Sequence, residues 1–278
     1  MKMERKMRTR ELNCTTGDIQ IYDNPANDVK HVLVICHGIT YSYEAVYAYK
    51  IDGKSIVDML NVLGISVIGF DFAGFGKSML TKGMMINSEV AVLNLQEVIS
   101  FVKEHYDGAA ITIMGWSWGA QIVGKYATRY PRSVDKIILY GLPCHINKNK
   151  LLKVNGDIRE NTMEHAKSDF SCNETIVSTD VVNDFAENAI RINPYSYNSP
   201  IYELSTVDYL VEPAKIVDPV LVIHGNEDER IDIIDETKFF MEIKSKHKTH
   251  VSYQGGHSLH LEKYRDKFCA ILAMFIKE

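Results

Sequence analysis

The sequence lacks any apolar run long enough to cross a bilayer, since stretches such as Val32 to Cys36 have only the length of a β-strand. No apolar run of signal-peptide length follows the basic start, Lys2 to Arg10. That start therefore reads as a short solvated tail rather than a secretory leader, and a cytoplasmic setting with no membrane partner is expected. Positive charge is also in deficit, with 31 Lys and Arg against 36 Asp and Glu for a formal charge of −5. A nucleic-acid surface needs an excess of Lys and Arg, so no nucleic-acid partner is expected. Five cysteines, at 14, 36, 144, 172 and 269, form no CxxC pair and keep no metal-ligand spacing with the ten histidines. Neither a disulfide framework nor a zinc site is expected, and no cofactor.

Internal repeats and low-complexity tracts are missing as well. What is present is an ordinary globular composition, 46% apolar and 24% charged over 278 residues, enough to bury a full core. Short β-branched runs alternate with longer segments of helical period, the pattern of a mostly parallel sheet with helices on its faces. The predicted strands are Ile19 to Tyr22, Val32 to Cys36, Ser66 to Phe70, Ala110 to Met114, Lys136 to Tyr140, Val220 to His224 and Thr249 to Tyr253. Gly17-Asp18, between two extended runs, suggests an opening antiparallel hairpin. The alternation stops after Leu142 and resumes at Val220, and the polar, Asn-rich text between has too little strand pattern for a second sheet. It reads as a helical cap, residues 143–213, inserted into a core domain of residues 1–142 and 214–278.

The sharpest local signal is Gly115-Trp116-Ser117-Trp118-Gly119, directly after the run Ala110 to Met114 and directly before the helical pattern Ala120 to Tyr130. A serine on so sharp a strand-to-helix turn leaves no room for side chains two positions to either side, hence the glycines. Its oxygen stands above a helix N-terminus, which favours developing negative charge.

A serine hydroxyl needs a base to take its proton and return it. Among the histidines, His257 follows the run Val251 to Tyr253 on a Gly255-Gly256 loop, and it is preferred over His260 three residues on. The third member has to hold the imidazole tautomer and offset the imidazolium charge. Asp228 fits, in the loop that leaves Val222-Ile223-His224, with Glu227, Glu229 and Asp232 as competitors. Two amides are also needed for a tetrahedral oxyanion, and the backbone N–H groups of Ile39, in the His37-Gly38-Ile39 loop, and Trp118 are the candidates.

Taken together, His37-Gly38, the Asp71 to Ser78 segment, Gly115 to Gly119, Gly225 to Asp228 and Gly256-His257 resemble, in order, the landmarks of the α/β-hydrolase superfamily. Asp71 to Ser78 carries neither a GxxxxGK[ST] nor a GxGxxG spacing, so it is read as structural rather than nucleotide-binding. The Ser117-Trp118 elbow also resembles that of proline iminopeptidases, but Gly38-Ile39-Thr40 departs from the two glycines and proline usual after the histidine in that group. A capped serine esterase or thioesterase is the better match.

The resemblance implies an α/β-hydrolase fold with a Ser-His-Asp triad. The expected activity is cleavage of a carboxylic ester or thioester through an acyl-serine, on a small acyl substrate that is free or linked to a carrier or coenzyme A. Acyl transfer, peptide hydrolysis and noncatalytic ligand binding stay open as alternatives. Tyr195, Tyr197, Tyr202 and Tyr209 in the insertion are read either as an apolar lid over the substrate or as the cap's own packing.

Overall fold

The computed structural model describes residues 7–149 and 151–278. The chain opens with β1 (Arg8–Cys14) and β2 (Gly17–Asn24), followed by β3 (His31–Cys36), helices α1 (Tyr43–Val46) and α2 (Ile56–Val62), and β4 (Ser66–Phe70). Next come α3 (Ser88–His105), β5 (Ala110–Trp116), α4 (Trp118–Arg129) and β6 (Lys136–Tyr140). After a long excursion the chain returns as β9 (Val220–Gly225), α8 (Ile233–Glu242), β10 (Lys248–Tyr253) and α9 (Arg265–Lys277). The excursion holds β7 (Ile158–Glu160), α5 (Met163–Lys167), α6 (Thr179–Ile192), β8 (Tyr195–Tyr197) and α7 (Ser199–Thr206).

Eight strands form one sheet in the order β1-β2-β4-β3-β5-β6-β9-β10. The β1–β2 and β2–β4 pairs are antiparallel and the rest parallel, so β2 alone runs against its neighbours. This meets the expectation of a mostly parallel α/β-hydrolase sheet. The near-continuous apolar runs of the central strands follow from burial on both faces. Val32, Val34, Ile137, Leu139, Val220 and Val222 pack with α3, α4 and α8 on one side. Their alternating neighbours Leu33, Ile35, Ile138, Leu221 and Ile223 pack with α2 and α9 on the other. Exchange of any one fully buried Leu or Ile for Ala costs about 2–5 kcal/mol.

Two expectations need correction. The basic start is not a tail throughout: Lys2 to Lys6 lie outside the described residues, but from Arg8 the chain is the edge strand β1, in register with β2 from Arg8↔Asp23 to Cys14↔Gly17. The inserted segment is not purely helical either. It contains the antiparallel pair β7–β8, with Arg159 opposite Ser196, too short for its alternation to register as a strand pattern in the sequence. No helix among the described residues is long and apolar enough to cross a membrane.

Candidate active site

Ser117 sits between β5 and α4 with φ 57° and ψ −120°, a backbone conformation that non-glycine residues rarely adopt. Its amide donates to the Tyr140 carbonyl of the neighbouring strand at 2.9 Å, and its own carbonyl accepts from Ala120 N at 2.9 Å, so both sides of the turn are pinned. The flanking glycines are required by space. A Cβ on Gly115 would lie 2.0 Å from the Gly119 carbonyl oxygen, and one on Gly119 would lie 2.5 Å from that of His37. The hydroxyl makes no capping hydrogen bond and opens on a cavity of about 740 Å³.

His257 lines the same cavity. Its Nδ1 is 2.6 Å from Asp228 Oδ2, with both side chains buried, which leaves Nε2 outside that contact. No direct Ser117–His257 hydrogen bond is formed among the described residues. Burial alone would push the Asp228 carboxyl up, but the adjacent imidazole and the Arg230 amide, 2.9 Å from Oδ1, outweigh it and hold the group below the usual carboxylate range. Asp228 therefore stays ionised, as a partner for an imidazolium must.

The competing acids are otherwise engaged. Glu227 accepts from Ser171 Oγ at 2.5 Å, and Asp232 caps α8 by accepting from the Ile234 and Asp235 amides. Glu229 lines the cavity. His260 is a buried support: its Nδ1 is 2.9 Å from the Tyr140 hydroxyl, and burial, reinforced by nearby His257, pushes it down to about 3.

The Ile39 and Trp118 amides have no protein acceptor among the described residues, and both residues line the cavity beside Ser117. His37 fixes this loop. The Phe72 amide donates to its Nε2 at 3.1 Å, so Nδ1 carries the proton and donates to the Gly38 carbonyl at 2.8 Å. With that carbonyl held by the ring, the next amide is the one left for the cavity. Burial pushes His37 down to about 4, so it remains neutral.

Sequence reasoning missed three supports. Trp116 Nε1 and the Tyr140 hydroxyl both donate to the His257 carbonyl, at 2.8 and 3.0 Å, and fix the base loop from beneath. Gly141, with φ 55°, leaves space for the ring, because a Cβ there would lie 3.2 Å from His257 Nδ1. The signal for Gly141 was its place directly after the strand Lys136 to Tyr140.

The lid reading of the tyrosines is corrected: none of Tyr195, Tyr197, Tyr202 and Tyr209 lines the cavity, and all four are exposed. The inserted segment instead presents Leu151, Leu152, Ile201 and Leu204. It is tied to the core by Arg230, which pairs with Asp169 at 2.6 Å, and by Arg159, which donates to Thr40 Oγ1 at 3.2 Å.

The family described as serine aminopeptidase, S33, matches residues 27–264. The chain belongs to this family of α/β-hydrolases. No protein of curated function matches the S33 chain. Among solved structures, an esterase from Exiguobacterium antarcticum superposes with a TM-score of 0.75 at 18% identity, covering 98% of this chain and 100% of that one. A soluble variant of monoglyceride lipase from Saccharomyces cerevisiae, in complex with a substrate analogue, also gives 0.75, at 14% identity and 99% and 97% coverage. A thioesterase domain from the curacin biosynthetic pathway gives 0.65 at 17% identity, with 99% and 100% coverage. At these identities the likeness is one of fold. Family membership makes the chain a hydrolase.

Proposed function

We propose that this S33 hydrolase cleaves a carboxylic ester or thioester through an acyl-Ser117 intermediate. The observation that carries the reading is a positive-φ serine at a helix N-terminus, opening on one cavity with a buried histidine–carboxylate pair. In this reading Ser117 Oγ attacks the acyl carbon while His257 Nε2 takes its proton, and Asp228 offsets the charge the ring acquires. The Ile39 and Trp118 amides bind the oxyanion. Collapse of the tetrahedral species expels the alcohol or thiol, which leaves with the proton from His257. Water then enters the same cycle and releases the acid.

The apolar roof of Leu151, Leu152, Ile201 and Leu204 suits an acyl chain or ring. The esterase, lipase and thioesterase names among the structural neighbours agree with that chemistry. A second reading, removal of an N-terminal residue from a peptide, is favoured by the family description and by the Glu229 carboxylate on the cavity wall. Against it, the other acid there, Asp169, is already held by Arg230.

A fluorophosphonate probe with p-nitrophenyl esters, acyl thioesters and aminoacyl p-nitroanilides separates these readings. Wild type is expected to label and to turn over esters or thioesters faster than anilides. Ser117→Ala is expected to fold, to lose labelling and to lose turnover by a factor on the order of 10³ or more. Full labelling of that variant, or a preference for anilides, overturns the proposal.

A further inference from the structure

Among residues that do not line the cavity, three side chains from three elements converge. His224 comes from the end of β9, His250 from β10 and Glu236 from α8, and the candidate donor atoms of all three lie within 4.8 Å of one another. Sequence spacing could not announce this group, because each element contributes one residue. The fold places them together. His250 stands opposite Val222 in the β9–β10 register, and Ser252 opposite His224, so both rings project from the same face of the sheet, the face that α8 covers. None of the three lines the Ser117 cavity.

The local polar bonding is incomplete. Glu236 Oε2 lies 2.8 Å from His250 Nε2, a hydrogen bond, and 2.5 Å from His224 Nδ1. The second approach is a close ion-pair contact of a buried ring nitrogen rather than an aligned hydrogen bond. Glu236 Oε1 is likewise buried and without a donor, on a side chain that is 0% exposed. A buried carboxylate oxygen without a donor is costly, and a cation bound by this carboxylate together with the two imidazoles removes the cost.

We propose that His224 Nδ1, Glu236 and His250 Nε2 form a binding site for a divalent transition ion of the Zn²⁺ class. Two imidazoles and a carboxylate are the donor set such an ion prefers over Mg²⁺ or Ca²⁺, which take oxygen ligands. Donors around a tetrahedral ion at about 2.0–2.1 Å stand roughly 3.3 Å apart. Relative to the present 2.5 and 2.8 Å, the carboxylate has to draw back by about 0.5–0.8 Å, within reach of a side-chain rotation. Entry and a fourth, water ligand come from the His250 side, which is 21% exposed.

The location gives the ion a consequence. β9 leads into the loop of Asp228 and β10 into the loop of His257, so an ion held by His224, His250 and Glu236 clamps together the two strands that carry the histidine–carboxylate pair, with α8 as the third arm.

Titration of untagged, chelator-treated protein with ZnCl₂, followed by calorimetry and by thermal melting, tests the site. Wild type is expected to bind one ion and to melt about 5 °C or more higher at a hundredfold excess over Kd. His250→Gln, on a partly exposed edge strand, and Glu236→Gln are each expected to weaken binding at least tenfold and to abolish the rise. MgCl₂ at the same concentration is expected to leave the melting temperature unchanged. Absence of saturable binding, or equal affinity in wild type and both variants, overturns the proposal.

Discussion

Two buried aspartates stand at the same edge of the sheet, Asp71 directly after β4 and Asp228 in the loop after β9, and they are driven in opposite directions. Asp71 is solvated only by neutral donors: the Tyr43 amide at 2.8 Å, the Lys77 amide at 3.0 Å and the Tyr22 hydroxyl at 2.8 Å. Burial wins there and pushes the carboxyl up to about 6. Asp228 is as deeply buried but has an imidazole against it, and burial loses. The lesson is that donors can organise a loop around a carboxylate, as Asp71 does for the turn from Phe72 to Ser78. A neighbouring group able to carry positive charge is what keeps a buried carboxylate ionised. The histidines differ in their partners. His257 has a carboxylate at Nδ1, and His37 and His260 have only amide, carbonyl or phenol partners, with burial pushing both down.

The strongest way to break this comparison is to remove the His257–Asp228 pair. Asp228→Asn and His257→Ala are each expected to lower kcat on the best ester substrate by about 10³–10⁴, with near-native melting. A loss under tenfold in either variant would show that the pair is structural, like Asp71.

His260→Ala is the matched control. Removing a ring from beneath Tyr140 and Trp116 is expected to lower stability by about 1–3 kcal/mol in urea unfolding, while kcat falls less than tenfold. A larger fall in kcat than in His257→Ala would reassign the base.

A further comparison concerns Asp71 and pH. The folded protein holds this proton up to about pH 6. The unfolded chain releases it near the ordinary value of about 3.9. Between those values the folded state binds more protons, so this residue makes folding progressively less favourable as pH rises from 4 to 6, by about 3 kcal/mol in all. Asp228 acts in the opposite sense, since the stability it adds is present above about pH 4 and lost as pH falls through its lower folded value. Urea unfolding at pH 4.5 and 6.5 is expected to show wild type losing stability relative to Asp71→Asn across that interval. An equal change in the two proteins would show that Asp71 ionises freely when folded.

How much of this was legible in the sequence depended on whether the cause was local. Ser66–Phe70 and Lys136–Tyr140 match their predicted strands at both ends because β-branched runs stop where turn residues begin. β5 runs two residues past its predicted end, through Gly115 and Trp116, because ladder bonds to β3 and β6 hold a glycine that propensity would reject. Ser117, His257 and Asp228 were legible from loop chemistry in a fixed order, and the structure brings all three to one place. The seats of Trp116 and Tyr140 under the His257 carbonyl were not, because indole and phenol donors look like core until their acceptor is known. Lid and cap packing stayed open for Tyr195, Tyr197, Tyr202 and Tyr209 for the converse reason: aromatic residues near prolines signal packing without naming a face, and these ended at the surface.

The parallel register of β6 with β9, from Ile137↔Val220 to Tyr140↔Ile223, joins two central strands across the whole stretch 141–219. Closing that loop is an entropic charge that grows only with the logarithm of its length, so doubling or halving the stretch changes it by about 0.6 kcal/mol. β3, β4, β5 and β6 meet over shorter separations, so β6 with β9 is the pairing that closes the longer loop. Once formed, it is nearly indifferent to how long the intervening chain is. Descendants of this sequence are thus at liberty to lengthen, shorten or exchange the roof of the cavity while the sheet beneath keeps its thermodynamic footing.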